Sequence, residues 1–192
     1  MKRIATESRK TSETMIKITV NLDGTGKHNI QTPTPFFSHM LELLSYHSLM
    51  DLDVSAQGLS VHHVVEDVGL TLGTTIDKAL KQRAGIRRYG FAKIPMDETA
   101  AEVIVDLSGR PYFQYDASFS SLSIEDLPTE LIKHFFESLT QTIKANIHLK
   151  LLYGENDHHR AEALFKALAR ALRQAVELDP RRKDIPSTKG TL

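Results

Sequence analysis

The sequence predicts an α+β protein built from two duplicated half-domains, each a β-sheet layer packed against helices, together forming one compact unit. Three observations carry that expectation. The pentapeptide His-His-x-x-Glu occurs twice, as His62-His63-Val64-Val65-Glu66 and as His158-His159-Arg160-Ala161-Glu162. A strand-like segment also recurs: ETMIKITVNLDG, from Glu13 to Gly24, lies over ETAAEVIVDLSG, from Glu98 to Gly109, at an offset of 85 residues. Its apolar positions stay in phase, with Ile16, Ile18, Val20 and Leu22 over Ala101, Val103, Val105 and Leu107, the period-two pattern of a half-buried strand. Finally, six of the nine histidines (His39, His62, His63, His134, His158, His159) fall at matched places in the two copies.

The elements follow in order. The alternation gives a strand over 14–22, and Gly24 and Gly26 mark the turn that leaves it. A helix is expected near 35–48, a strand over 51–56, and a helix over about 61–80 that carries the first pentapeptide. The second half repeats the order: strand 101–107, helix 128–143, strand 147–152 and helix 156–178. The last helix is amphipathic, with Leu164, Leu168, Leu172 and Val176 along one face and Phe165, Ala169 and Ala175 beside them, which marks a core element. The segment from Pro35 to His39 resembles that from Leu131 to Phe135; His39 and His134 are 95 residues apart, and His62 and His158 are 96 apart. A drift from 85 to 96 predicts loop insertions between equivalent elements. The halves are read as about 9–90 and 95–180, within a single domain over 1–192. The polar end, 181–192, reads as a mobile tail.

Composition narrows the function. Lys and Arg total 24, as do Asp and Glu, and the pI is about 7.1, which argues against a nucleic-acid binder. The longest apolar runs fall short of a membrane span, and the stretch from Met1 to Glu13 has no apolar signal core. The absence of cysteine removes disulfides and thiol nucleophiles and fits a cytoplasmic protein.

The pentapeptide is metal chemistry in outline. On a helix, His62 and Glu66 share a face, whereas His63 points about 100° away and suits a different ion. The same holds for His158 with Glu162, and for His159. If the two helices face each other, one ion takes His62, Glu66 and His159, and the other takes His158, Glu162 and His63. His134 then completes the first set and His39 the second, giving three imidazoles and one carboxylate to each ion. Such a set suits Mn, Fe, Co, Ni or Zn. Structural zinc sites are usually closed and rich in cysteine, of which this chain has none. Ferritin-like sites carry Glu-x-x-His on a bundle, the reverse order. A dimetal phosphatase and a metal-storage protein remain the competing readings.

Together the motifs resemble the imidazoleglycerol-phosphate dehydratases across almost the whole chain. They are Arg9-Lys10-Thr11-Ser12-Glu13-Thr14, Phe37-Ser38-His39-Met40, the HHVVED run from His62 to Asp67, Gly85-Ile86-Arg87-Arg88, Pro95-Met96-Asp97-Glu98, Asp106-Leu107-Ser108-Gly109-Arg110-Pro111, the run from Gly154 to Leu172, and Pro186-Ser187-Thr188-Lys189-Gly190. Two positions depart from the family pattern: Ser38 and Ser60-Val61 stand where aspartate is common. The resemblance implies an enzyme of histidine biosynthesis, a hydro-lyase with two manganese ions at each active site. It implies a small phosphorylated imidazole substrate, active sites at subunit contacts in an assembly of twenty-four subunits, and neither nucleic acid nor membrane as partner. The reaction would be loss of water from imidazole glycerol phosphate to give imidazole acetol phosphate, by way of a metal-bound imidazolate and a diazafulvene. It implies Glu13 as a substrate-contacting acid or base, with Glu66 and Glu162 as alternative proton carriers, and His47 as a substrate contact. Arg88, Arg110, Lys166, Ser187 and Lys189 match substrate-binding positions suited to a phosphate. The tail is then expected to order over that phosphate. Glu98, the repeat partner of Glu13, is read as structural or auxiliary.

Overall fold

In the computed structural model, which describes residues 2–192, the two halves share one topology. The first half contains β1 (Ile4–Lys10), β2 (Thr14–Asn21), β3 (His28–Gln31), α1 (Pro35–Ser48), β4 (Asp51–Gly58) and α2 (Val61–Leu80). The second contains β5 (Tyr89–Met96), β6 (Thr99–Asp106), β7 (Tyr112–Asp116), a small β8–β9 hairpin (Ser123–Ile124 and Leu127–Pro128), α3 (Glu130–Ile143), β10 (Asn146–Tyr153) and α4 (Asp157–Val176). The sheets run β1-β2-β4-β3 and β5-β6-β10-β7, each antiparallel except for one parallel pair, β3 with β4 and β7 with β10.

The elements expected from alternation and helical periodicity are present, with ends moved by one or two residues. The strands that were not expected are β1, β3, β5, β7 and the hairpin. β1 reads IATESRK and alternates only weakly, because it is an edge strand whose side chains stay largely in water. The drift in offset has two physical sources. The hairpin is inserted between β7 and α3, and it has no counterpart between β3 and α1. The last residue of drift is an irregularity in β10, where Leu151 pairs with Ala101 but Tyr153 pairs with Ala100, so Leu152 is bulged out.

The helices lie between the two sheets. α2 packs on β1 and β2, and α4 packs on β5 and β6. The two pentapeptide helices do not face each other, which corrects the sequence-based arrangement: α2 packs on α3, and α4 on α1. Each pair is parallel, as contacts advance together along both helices. From His62 and His134 the α2–α3 seam continues to Gly73 against Leu139 and Thr142, and then to Asp77 with Lys144. Glycine is required in that seam. A Cβ on Gly73 would lie 2.5 Å from the Leu139 carbonyl oxygen and 2.1 Å from the Thr142 hydroxyl. The two backbones could not approach this closely with any larger residue.

An aromatic group sits beneath the histidines. Phe37, Phe135, Phe136 and Phe165 are at most 1% exposed, with Phe37–Phe135 and Phe136–Phe165 ring centroids 5.3 Å and 4.7 Å apart. Each such burial contributes about 2–3 kcal/mol of hydrophobic stabilisation. These rings come from α1, α3 and α4, so the core that joins the halves is also the floor on which the histidines stand.

Candidate metal centre

Among the described residues, two groups of metal-ligand type come together, and each draws on both halves. The first is His39 from α1 with His158 and Glu162 from α4. Glu162 Oε1 lies 3.2 Å from His39 Nε2 and 3.1 Å from His158 Nε2. The second is His62 and Glu66 from α2 with His134 from α3; Glu66 Oε2 is 3.9 Å from His62 Nε2 and 3.7 Å from His134 Nε2. The helical spacing therefore works as expected, and His39 and His134 join the pentapeptides to which they were assigned.

The residues suit a metal ion. In each group the ligand atoms all lie within 4.8 Å of one another. His134 Nε2 is buried and lacks a hydrogen-bond partner, a cost normally avoided unless something else engages the atom. Two imidazoles and one carboxylate form an open, nitrogen-rich set.

The two groups are not equivalent. The Glu162 side chain is 9% exposed and that of Glu66 38%. Lys166, one turn after Glu162, places Nζ 2.5 Å from Glu162 Oε2 and 3.1 Å from Met96 Sδ. Burial pushes the Glu162 carboxyl up, but hydrogen bonds from Lys166 and His39 outweigh it and hold the pKa at about 2. The repeat position of Lys166 is Leu70, so only one group has a resident ammonium. Lys166 thus sits with the first His/Glu group and apart from the other residues read as phosphate-binding. His47 is on the same side. Burial pushes its pKa down, and the nearby Lys166 and Arg170 charges add to that.

Within one chain, His63 and His159 do not join the groups assigned to them. His63 Nδ1 lies 3.2 Å from Glu13 Oε2, and His159 Nδ1 lies 2.7 Å from Glu98 Oε2. The cause is the packing of α2 and α4 on other helices, which leaves the second histidine of each pair about 100° round from the ion that the first can hold.

Several supports were not visible as site residues in the sequence. Buried Asp67, the last residue of HHVVED, accepts from Arg9 Nε at 2.6 Å and from the Thr14 hydroxyl at 2.5 Å, and so ties the RKTSET motif to α2 and brings Glu13 to His63. Asp126 accepts from the Phe36 amide at 3.1 Å, at the start of α1. Glu125 Oε1 reaches His158 Nδ1 at 3.3 Å. Both departures from the family pattern are local contacts: Ser60 caps α2 through the His63 amide, and the Ser38 hydroxyl pairs with that of Thr32 at 2.9 Å.

Asp157 opens α4 and accepts from the Ser120 amide and hydroxyl and from the Ser121 amide at 2.7 Å. Burial pushes its pKa up, yet the Ser120 and Ser121 hydrogen bonds hold it at about 2, below the ordinary 3.8. A depressed value stabilises the fold fully above pH about 4, and that contribution disappears as pH falls toward 2. Asp157→Asn is expected to cost ~1–2 kcal/mol at neutral pH and progressively less in acid. Urea unfolding at pH 7 and at low pH checks both halves of that statement.

The remaining predicted residues gather elsewhere. Arg88 binds Asp106 at 2.7 Å and donates to the Pro186 carbonyl at 2.8 Å. Exposed Arg110 follows Gly109, against which the chain end at Leu192 packs. Ser187 and Lys189 lie in the same tail, where the Ser187 hydroxyl accepts from the Lys189 amide at 3.2 Å. The tail, read in the sequence as a mobile end, is thus laid against the β5–β6 end of the sheet, with Pro186 buried. The Arg88 amide donates to the Ala175 carbonyl, near the C-terminus of α4, whereas Glu162 is near its N-terminus. Thirteen residues of helix separate Glu162 from Ala175, roughly 20 Å at 1.5 Å per residue. The structure brings Arg88, Arg110, Ser187 and Lys189 to one end of the molecule and the metal-type groups to the other.

A duplicated α+β sandwich with two His/Glu groups, each shared between the halves, defines the class: a protein with a paired metal-type centre at a symmetric seam. The family model described as "Imidazoleglycerol-phosphate dehydratase" matches residues 32–172. An imidazoleglycerol-phosphate dehydratase of Dehalococcoides mccartyi (strain CBDB1) is 50% identical over all of this chain and 98% of its own length. That of Geobacter metallireducens is 47% identical over the full length of both chains. Among solved structures, the imidazoleglycerol-phosphate dehydratase of Staphylococcus aureus superposes with a TM-score of 0.85 at 38% identity, covering 92% of this chain and 99% of that one. This chain belongs to the imidazoleglycerol-phosphate dehydratase family, and with it to the hydro-lyases of histidine biosynthesis. No helix among the described residues is long and apolar enough to cross a membrane.

Proposed function

We propose that this chain removes water from imidazole glycerol phosphate to give imidazole acetol phosphate, with two Mn(2+) ions at each active site. The observation that carries the proposal is the pair of His/Glu groups, drawn crosswise from the two halves of a chain of this family. His39, His158 and Glu162 would hold one ion, and His62, Glu66 and His134 the other. When bound, such ions supply Lewis acidity, which stabilises negative charge on the nitrogens of an imidazole ring.

The chain's own groups account for the rest. The substrate must lose a hydroxyl from the carbon beside the ring and a proton from the next carbon, so a proton carrier has to stand close to both. Glu13 is exposed on 60% of its side chain, and its one short contact, to His63, leaves an oxygen free to take or give that proton. Glu66 and Glu162 are the alternatives, each already fixed beside imidazoles. His47, biased toward its neutral form, and Lys166 line the approach to Glu162 and would orient the ring and hydroxyl end of the substrate.

The phosphate end requires a second chain. The Arg88 backbone meets α4 at Ala175, roughly 20 Å along the helix from Glu162 of its own chain, and Arg110, Ser187 and Lys189 gather at that same end; a substrate whose ring and phosphate are joined by three carbons does not bridge that distance. These residues therefore serve a neighbouring chain's metal groups, and the outward-turned His63 and His159 are offered across the same kind of contact. This division of labour favours self-association, in line with a closed assembly of twenty-four subunits acting in the cytoplasm.

A dimetal phosphatase would share the metals and cations but release inorganic phosphate. Incubation of the manganese-replete protein with imidazole glycerol phosphate, following ketone and free phosphate together, separates the two. Ketone without phosphate is the expected result; phosphate without ketone would make this a phosphatase.

A further inference from the structure

Glu98 and Glu13 occupy the same place in the repeat, and each touches the second histidine of its half, yet their surroundings differ. Glu13 has that single contact. Both oxygens of Glu98 are engaged. Its Oε1 accepts from the Glu155 amide at 3.1 Å, the Asn156 amide at 2.9 Å and the Thr99 hydroxyl at 2.9 Å. This fixes the carboxylate plane against the chain entering α4. Its Oε2 is left with one partner, His159 Nδ1, at 2.7 Å. An ionised carboxylate can only accept, so Nδ1 of His159 carries a proton, and the neutral ring, the form that binds a metal, then has its lone pair on Nε2. The remaining neighbour of Nε2 is exposed Asp97, 3.7 Å away.

We propose that Glu98 is a positioning residue: by holding His159 in the Nδ1–H form and in one ring orientation, it presents Nε2 as a ready ligand for a metal centre completed by another chain. A carboxylate behind a ligating imidazole both orients the ring and raises its basicity. The duplication has thus separated two duties. Glu13 remains loosely held and free to carry a proton, while Glu98 is locked to the backbone and sets a ligand. The proposal rests on the dimetal reading above, and its test keeps the two apart.

Glu98→Gln separates orientation from architecture. The amide oxygen still accepts from the Glu155 and Asn156 amides. The amide nitrogen, however, must donate to Nδ1 of His159, which moves the ring proton to Nε2 and blocks that ligand atom. The measurement is Mn(2+) binding to metal-stripped protein, by titration calorimetry with electron paramagnetic resonance of free Mn(2+), on wild type, Glu98→Gln, His159→Gln and the double variant. The expected results are an affinity at one site lowered ~10–100-fold in Glu98→Gln, an unchanged melting temperature of the metal-free protein, and no further loss when Glu98→Gln is added to His159→Gln. Wild-type affinity in Glu98→Gln would overturn the proposal. So would an equal loss in the His159→Gln background, which would mean that Glu98 acts through the fold and not through His159. Absence of Mn(2+) binding to the wild type would instead overturn the dimetal reading itself.

Discussion

Glu162→Gln is expected to lower turnover by at least ~100-fold, since even the outer partners of metal ligands cost 10–100-fold when removed. Glutamine keeps the shape and one acceptor but loses the charge on which His39, His158 and Lys166 all converge. The Lys166 ammonium would then lose its carboxylate partner beside two imidazoles, and the site would hold a cation less well. Metal content and kcat should fall together, with the melting temperature of the metal-free protein changed far less. Glu66→Gln provides the comparison, because it changes the same chemistry in the more open group, where no lysine stands behind the carboxylate. Turnover within about threefold of wild type for Glu162→Gln would remove this carboxylate from the centre.

The second large effect is one of rescue. Arg110→Ala removes an exposed side chain at the tail end, and Glu162→Gln disables the ligand end; each is expected to be nearly inactive alone. If the two ends of one chain serve different sites, chains mixed during refolding or co-expression must create some sites with an intact Glu162 from one chain and an intact Arg110 from another. Activity should therefore appear in the mixture that neither parent shows. A mixture as inactive as its parents, with hybrid assemblies demonstrated by mass, would place both ends of the substrate on the same chain.

Much of this centre was legible in the sequence because helices translate spacing into geometry. His62 with Glu66, and His158 with Glu162, needed only the four-residue repeat. His39 and His134 were found because duplication lets one half check the other. The packing partners of α2 and α4 were not legible. Both helices carry apolar faces wide enough to fit either neighbour, and what decides is local: Gly69 and Gly73 admit the α3 backbone at a distance that no larger side chain allows. The condition of facing helices is not met within one chain, where His63 and His159 stand apart from the two groups.

The unexpected strands have a different explanation. β1 and β3 are edge strands, and an edge strand can satisfy its ladder with few buried side chains, so its alternation is faint. Asp67 and Glu98 were present in quoted motifs, but their work is done largely through partners distant in sequence, the Arg9 guanidinium and Thr14 hydroxyl for Asp67 and the Glu155 and Asn156 amides for Glu98. No spacing rule reports such contacts. Among the residues read as phosphate-binding, Lys166 stands beside Glu162, whereas Arg88, Arg110, Ser187 and Lys189 share the far end of the fold. Separation along α4, not residue type, distinguishes them.

The central claim is that two metal ions, held by these crosswise groups, drive the dehydration. Its most direct test is a titration of metal-stripped protein with Mn(2+), recording bound manganese per chain and ketone formation from imidazole glycerol phosphate on the same samples. The account predicts negligible turnover without metal, a rise that tracks occupancy, and a plateau at two ions per chain. Full turnover by the stripped protein, or a plateau reached at one ion, would contradict it.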